Sequence, residues 1–171
     1  RQIFTSPVYS SGWVPQRADL GAALWWLPLL AVYTGARLGE VAQLFVSDVR
    51  VSPEGVNYLN LLKEEDDDEG SADAGSDSRR VKTESSRRRV PLHDDLIALG
   101  FLDYVKSQPP GGQVFPRIKP NKVGKYAPAF GRIWRRYLSD TAKFESPAAP
   151  MHGFRHTFKT LCRAAGIPAE V

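Results

Sequence analysis

Apolar residues recur at helical spacing in five segments of this 171-residue chain and are the feature that most limits its fold. Within residues 127–138, five large side chains fall at i, i+3, i+4, i+7 and i+8 on one helical face. These are Phe130, Ile133, Trp134, Tyr137 and Leu138. Helical patterns are also found in residues 19–33, 35–44, about 94–108 and 152–165. The chain is long enough to form one compact domain with its own core, and these segments predict that the domain is mainly α-helical.

Three short stretches have the composition of β-strands: residues 56–62, a stretch around residues 80–83, and residues 88–92. Ser85-Ser86 makes a plausible hairpin turn between the last two. We therefore predict an α+β fold, mainly α with a small antiparallel three-stranded sheet. Residues 1–17 contain Pro7, Gly12 and Pro15 and are predicted to be irregular. Residues 64–78 contain only Glu, Asp, Gly, Ala and Ser, cannot bury apolar surface, and predict a mobile acidic loop.

The net charge of +4 hides a strongly basic body. Residues 64–78 hold eight acidic side chains and no basic one, so the rest of the chain carries 23 basic against 11 acidic residues, or +12. Residues 117–143 alone contain eight basic residues and one acid, Asp140. Such a field points to a polyanionic partner, although a basic protein with solvated faces would show the same composition.

Two arginines are predicted near helix starts, Arg37 in TGARLGE (residues 34–40) and Arg155 in HGFRHT (residues 152–157). A cation in the first turn opposes the helix dipole, so the placement makes sense if an anion lies in front of both helices. Helix N-termini offer free N–H groups to phosphate, and the guanidinium fork matches two phosphate oxygens. Two such arginines at helix starts, far apart in the sequence, predict that one phosphate is bound from two sides.

Two further side chains suit phosphoryl transfer. His152 can accept or donate a proton near neutral pH, and Lys82 can protonate a leaving hydroxyl. No convincing metal-ligand set surrounds the three histidines, and no Walker-type glycine loop is present. We therefore expect neither a metal nor a small-molecule cofactor.

Each of these residues has a simpler interpretation. Arg37 and Glu40, three residues apart, could form a surface ion pair worth a few tenths of a kcal/mol. His152 could simply lie near a helix start, and Lys82 could be a solvated strand lysine. His156 lies nearer the apolar stripe of its helix, which favours a structural role.

The three motifs together resemble those of the tyrosine recombinases, the phage-integrase family. TGARLGE resembles the family's first arginine box, and HGFRHT resembles its His-x-x-Arg box. KTESSRRRVPLH, residues 82–93, is similar to its lysine hairpin and the following strand. WWLPLL, residues 25–30, is similar to the prophage branch. The order matches over nearly the whole chain.

The resemblance implies the fold of a DNA breaking-rejoining catalytic core and a metal-free reaction through a 3′-phosphotyrosine intermediate. Arg37 and Arg155 would hold the scissile phosphate, and Lys82 would act as the general acid. His152 would assist proton transfer, and Glu40 would support Arg37. Basic residues of the hairpin, of the basic run and of the predicted helix 127–138 are the expected DNA contacts: Arg79, Arg80, Arg87, Lys122, Lys125, Arg132, Arg135 and Arg136.

The family pattern places its tyrosine nucleophile beyond the His-x-x-Arg helix, and Tyr126 and Tyr137 precede that helix. We therefore expect residues 1–171 to be one catalytic domain, without the family's N-terminal DNA-binding domain and its tyrosine segment. Such a fragment would bind double-stranded DNA but be inactive, while the parent protein recombines DNA and self-associates on it. A non-catalytic DNA-binding module and a type IB topoisomerase-like enzyme are the alternatives.

The expected location is the bacterial cytoplasm, in association with the nucleoid. The single cysteine, Cys162, excludes an internal disulfide and fits a reducing compartment. The longest apolar run, residues 24–32, is short and contains Pro28, so we expect no membrane partner.

Overall fold

The computed structural model describes residues 2–15, 20–62, 87–144 and 150–167. Seven α-helices lie in these ranges: α1 (Pro7–Ser10), α2 (Ala23–Thr34), α3 (Leu38–Ala42), α4 (Asp94–Ala98), α5 (Phe101–Lys106), α6 (Ala127–Asp140) and α7 (Pro150–Ala164). Short 3₁₀ turns occupy Gln2–Thr5 and Val46–Asp48. The predicted mainly helical α+β class is confirmed. The acidic segment 64–78 lies outside the described residues.

The sheet has three antiparallel strands in the order β1 (Val49–Val51), β2 (Asn57–Leu62) and β3 (Arg87–Pro91). Leu59 pairs with Val49 on one side and with Val90 on the other. The predicted strands at 56–62 and 88–92 are confirmed to within one residue. Strand β1 was not predicted, because it is three residues long and mostly exposed and therefore shows no alternating pattern. The predicted strand around 80–83 and the Ser85-Ser86 turn lie outside the described ranges.

Helix α2 runs through the middle of the core. Nine of its twelve residues are buried, including Pro28 within the helix, so it shows no single apolar stripe. It begins at Ala23, after Gly21 with φ of 54°, and so starts later than the predicted residue 19. A helix that is buried on nearly all sides requires neighbours all around it, so α2 is the central helix of the domain.

Helix α6 matches its predicted apolar face. Phe130, Trp134, Tyr137 and Leu138 are buried, and Ile133 is partly buried against the core. The Tyr137 hydroxyl donates to Ser6 Oγ at 2.6 Å and accepts from the Val8 N–H at 2.9 Å. These bonds hold the N-terminal segment against α6. That segment was predicted to be irregular but contains a 3₁₀ turn and α1, which the tertiary contacts with Tyr137 stabilise.

The single helix predicted after residue 94 is two helices, α4 and α5. They are separated at Leu99-Gly100, and Gly100 has φ of 87°, a value that ends a helix. The apolar periodicity continues across this break because Leu96, Phe101 and Val105 all enter the same core. The apolar spacing of Leu96 and Val105 therefore predicted part of the buried face, but it missed the buried Phe101 and the interruption.

Helix α7 packs on the C-terminal end of α2. Gly35 follows α2 with φ of 60°, and a Cβ placed there would overlap the Phe158 ring. Phe154 is buried and Phe158 is partly buried, as predicted. The apolar spacing also predicts Leu161, Cys162 and Ala165 on this buried stripe. Cys162 is partly buried, but the prediction is wrong for Leu161, which is 62% exposed, and for Ala165, which is also exposed. Phe158 packs on Gly35, and Phe154 stacks on the Phe4 ring of the N-terminal 3₁₀ turn with 5.8 Å between ring centroids.

Candidate phosphate-binding cleft

A cleft of about 620 Å³ opens between the start of α3, the outer face of α6 and the first turns of α7. Five of its lining side chains are Arg37, Arg132, Arg135, His152 and Arg155. Leu38, Trp134 and Met151 give it apolar surface. Among the described residues that line it, none is acidic. The cleft therefore offers four guanidinium groups and an imidazole to a single anion or to neighbouring anions along a chain.

Arg37 precedes α3 as its N-cap residue, with extended backbone angles of −70° and 148°. The prediction of a helix over 35–44 capped by Thr34 is wrong in its bounds. Thr34 ends α2, where its hydroxyl donates to the Leu30 carbonyl and accepts from the Ala36 N–H at 3.2 Å. A sharp turn at Gly35 separates the two helices and brings Arg37 to the edge of the cleft.

Glu40 lies directly behind Arg37 and is 1% exposed. Its Oε2 accepts from the Arg37 backbone N–H at 2.8 Å, and Arg37 Nη1 lies 3.7 Å from its Oε1. Burial raises the pKa of the Glu40 carboxyl, but its bonds with Arg88 and Arg37 outweigh burial and hold that pKa below its ordinary value. Glu40 is therefore a buried anion that fixes the start of α3, which agrees with the supporting role expected for it.

Arg155 reaches the cleft from the second turn of α7. The helix begins at Pro150, so the prediction that Arg155 lies at a helix start is wrong. Its Nη1 donates to the Gly35 carbonyl at 2.5 Å. Phe158, three residues further along α7, packs on the same glycine. The turn that positions Arg37 therefore also positions Arg155.

His152 lines the cleft and forms a contact with the next histidine on α7. Its Nε2 lies 2.7 Å from His156 Nε2, with the two rings nearly perpendicular. Both imidazoles are exposed, and the structural role expected for His156 stays a prediction. At 2.7 Å one Nε2 must donate to the other, and the tautomers of the two rings are therefore linked.

The predicted DNA-contacting residues divide into three groups. Arg132 and Arg135 line the cleft, whereas Arg136 is exposed beyond it and pairs with Asp140 at 3.3 Å. Lys122 and Lys125 are exposed in the turn before α6. The other expected contacts lie outside what the structure describes, Arg79 and Arg80 entirely and Arg87 in its side chain. Lys82, the predicted general acid, also lies outside the described residues.

The sequence analysis missed Arg88 as part of this site. Its guanidinium donates Nη1 to Glu40 Oε1 and Nη2 to Glu40 Oε2, each at 2.6 Å. Alternation along β3 places Arg88 on the face of Val90 and of the buried Leu92, and Arg89 on the opposite face. That alternation is the signal that could have indicated an inward-facing arginine.

None of the chain's six tyrosines is among the residues that line the cleft. Burial raises the pKa of Tyr104 to about 12 and that of Tyr9 further, and the Asp95 hydrogen bond followed by burial raises the pKa of Tyr33. Hydroxyls elsewhere in the fold hold hydrogen bonds: Tyr9 with Trp25, Tyr33 with Asp95, Tyr104 with Val114, Tyr126 with Gln113 and Tyr137 with Ser6. These tyrosines serve the fold.

Other kinds of site find no support in the described ranges. They contain no group of three or more His, Cys, Asp and Glu side chains that could hold a metal ion. No helix within them is long and apolar enough to cross a membrane. No family model, no curated protein and no solved structure matches the chain. What it does must therefore be argued from the cleft itself.

Proposed function

We propose that this chain is the phosphate-binding core of an enzyme of the tyrosine-recombinase type, which breaks and rejoins duplex DNA. The observation that carries the proposal is that Arg37, His152 and Arg155, from opposite ends of the sequence, line one cleft. Two guanidinium groups can share one phosphodiester, each through a planar pair of donors. The imidazole beside them supplies a group for proton transfer.

The charge and exposure of the cleft suit a DNA backbone better than a small phosphorylated molecule. Arg132 and Arg135 continue the cationic lining along α6, and both side chains are exposed. A single small phosphate would need two of these arginines at most, whereas successive phosphates of a strand would engage all four. Duplex DNA carries its charges at regular short intervals, and most protein contacts to it go to phosphate.

In the proposed reaction, a tyrosine oxygen attacks the phosphorus held by Arg37 and Arg155. The bond to the 5′-oxygen breaks as the 3′-phosphotyrosine bond forms. The leaving 5′-oxygen takes a proton from Lys82, and His152 accepts the proton of the attacking tyrosine. The 5′-hydroxyl of a partner strand then attacks the 3′-phosphotyrosine, so a new phosphodiester bond forms as the bond to the tyrosine oxygen breaks. Each arginine acts by neutralising charge that grows on the phosphoryl oxygens in the transition state.

The tyrosine itself must come from elsewhere, since the six present lie outside the cleft and are held in the fold. We propose that a segment beyond Val171 in a longer chain supplies it. The same observation favours one second candidate, a DNA-binding module that holds the phosphate without cutting the strand. The two candidates predict the same affinity for DNA and differ only in chemistry.

A covalent-adduct assay separates these two candidates. The 171-residue chain and a longer chain carrying the proposed tyrosine segment are each incubated with labelled, nicked duplex DNA and run on a denaturing gel. The recombinase proposal expects an adduct with the longer chain alone, and its loss on Arg37→Ala or Arg155→Ala with most DNA affinity kept. DNA binding by both chains without an adduct would support the binding module and reject the enzyme.

A further inference from the structure

Strand β3 contributes a cation to the support of the cleft. Arg88 and Glu40 are 48 residues apart, and the guanidinium of Arg88 grips both Glu40 oxygens in a two-point ion pair. The Glu40 side chain is fully buried, whereas that of Arg88 is 35% exposed. The pair therefore joins the sheet to the start of α3 at the residue that backs Arg37.

Among the described residues, two arginines, Arg37 and Arg88, lie within reach of Glu40 and compete for it. A buried carboxylate requires a cation or several hydrogen bonds, because leaving its charge uncompensated is very costly. Arg88 meets this need at 2.6 Å on both oxygens, whereas Arg37 Nη1 is 3.7 Å from Oε1. Arg37 touches Glu40 closely only through its backbone N–H.

We propose that Arg88 is a positioning residue for Arg37. By occupying both oxygens of Glu40, it keeps the Arg37 guanidinium directed into the cleft and away from that carboxylate. This inference rests on the proposed phosphate-binding function of the cleft. A purely structural role would be to connect β3 to α3. The positioning role instead predicts that losing Arg88 weakens phosphate binding because the negative charge of Glu40 is left unpaired.

This difference can be tested by rescue. If Arg88 is replaced by methionine, we expect Glu40 to turn to the Arg37 guanidinium, the other cation close to it among the described residues. Replacing Glu40 with glutamine as well removes the charge that captures Arg37, and the amide oxygen can still accept from the Arg37 backbone N–H. If Arg88 only connects β3 to α3, the double variant still lacks that connection and phosphate binding stays weak. If Arg88 positions Arg37, the Arg37 guanidinium returns to the cleft and phosphate binding recovers.

The experiment measures the affinity of the 171-residue chain for inorganic phosphate, followed by the NMR signals of the arginine Nε–H groups. Four chains form the cycle: wild type, Arg88→Met, Glu40→Gln and the double variant. We expect Arg88→Met to weaken phosphate binding about tenfold, which is an ordinary size for the coupling between contacting groups. We expect the phosphate affinity of the double variant to lie within about threefold of that of Glu40→Gln. The Arg37 signal of Arg88→Met should already be displaced before phosphate is added.

Arg89→Met is the matched control. It removes the same charge from the next position of β3, where Arg89 lies over the Tyr58 ring and is exposed. Its phosphate affinity should stay close to wild type, which separates positioning from a general loss of positive charge. Arg88→Lys keeps the positive charge but not the two-point guanidinium contact, so it should lose less phosphate affinity than Arg88→Met. It also allows the measurement to be made if Arg88→Met does not fold.

Two results would overturn the inference: a double variant as weak as Arg88→Met, or an Arg88→Lys variant that binds phosphate as weakly as Arg88→Met. The failure of the proposed function has a separate signature. In that case Arg37→Lys itself would leave phosphate affinity unchanged, whatever the behaviour of the Arg88 variants.

Discussion

The two walls of the cleft hold their arginines in opposite ways. On one wall, Arg37 and Arg155 are partly buried: Glu40 accepts from the Arg37 backbone N–H, and the Gly35 carbonyl holds the Arg155 guanidinium. On the other wall, Arg132 and Arg135 are exposed on the outer face of α6. Fixing a long side chain costs conformational entropy, and a site accepts that cost where geometry matters. The comparison indicates that the first wall positions a phosphate, while the second mainly supplies charge.

The first wall depends on Gly35 more than on any other backbone position, and the largest stability change is expected there. Gly35→Ala forces a Cβ into the Phe158 ring at a positive φ, so we expect a loss of about 3 kcal/mol or more from strain and overpacking together. Thermal or denaturant unfolding measures it. Gly12→Ala is the matched control, because Gly12 has a similar φ of 64° but open space around it. Equal losses in the two variants would show that contact between α7 and Gly35 adds nothing.

The buried carboxylate of the same wall should make stability depend on pH. Because its pKa is lowered in the folded chain, Glu40 contributes stability that is present above its ordinary value of 4.5 and is lost as the pH falls through the lowered pKa. At pH 7, Glu40→Gln should cost about 2 kcal/mol, the usual scale of charged hydrogen bonds. Chemical unfolding at several pH values should show the gap between wild type and variant closing in acid. A gap independent of pH would contradict the assignment.

The second wall should show the smallest effect on stability and a clear effect on DNA affinity. Arg132→Gln and Arg135→Gln should change the free energy of unfolding by less than about 0.5 kcal/mol. Each should weaken binding to a short duplex several-fold and lower the slope of log affinity against log salt by about 1. Arg136→Gln on the same helix is the control, because Arg136 pairs with Asp140 outside the cleft. Equal losses from all three would mean that the cleft does not contact DNA.

Local patterns in the sequence predicted the parts of the fold that local packing determines. The face of α6 was predicted because five large apolar residues repeat along one helix, and strands β2 and β3 were found to within one residue. The helix break at Gly100 and the short strand β1 were missed. The strand is only three residues long and mostly exposed, and the apolar spacing continues across the break, so neither feature gives a clear periodic pattern.

The candidate site was likewise predicted where local sequence motifs indicate it and missed where it depends on distant segments. Arg37, His152 and Arg155 could be selected from the sequence, and the structure brings them to one cleft. Both arginines were predicted to lie at helix starts. This is wrong for Arg155, which lies in the second turn of α7 and donates to the Gly35 carbonyl. The Arg88–Glu40 pair was not predicted, because it requires β3 to lie beside α3, a juxtaposition that neither segment contains. Whether Lys82 joins the site stays a prediction.

The central claim is that Arg37 and Arg155 bind the same phosphate, and a titration of the chain with inorganic phosphate tests it most directly. The Nε–H signals of both arginines are followed by NMR in wild type and in Arg37→Lys, which keeps the charge and loses the fork. We predict that both signals in wild type move with one dissociation constant, and that Arg37→Lys weakens the response of Arg155 as well. An Arg155 response that is unchanged in Arg37→Lys, or two different dissociation constants in wild type, would contradict the account.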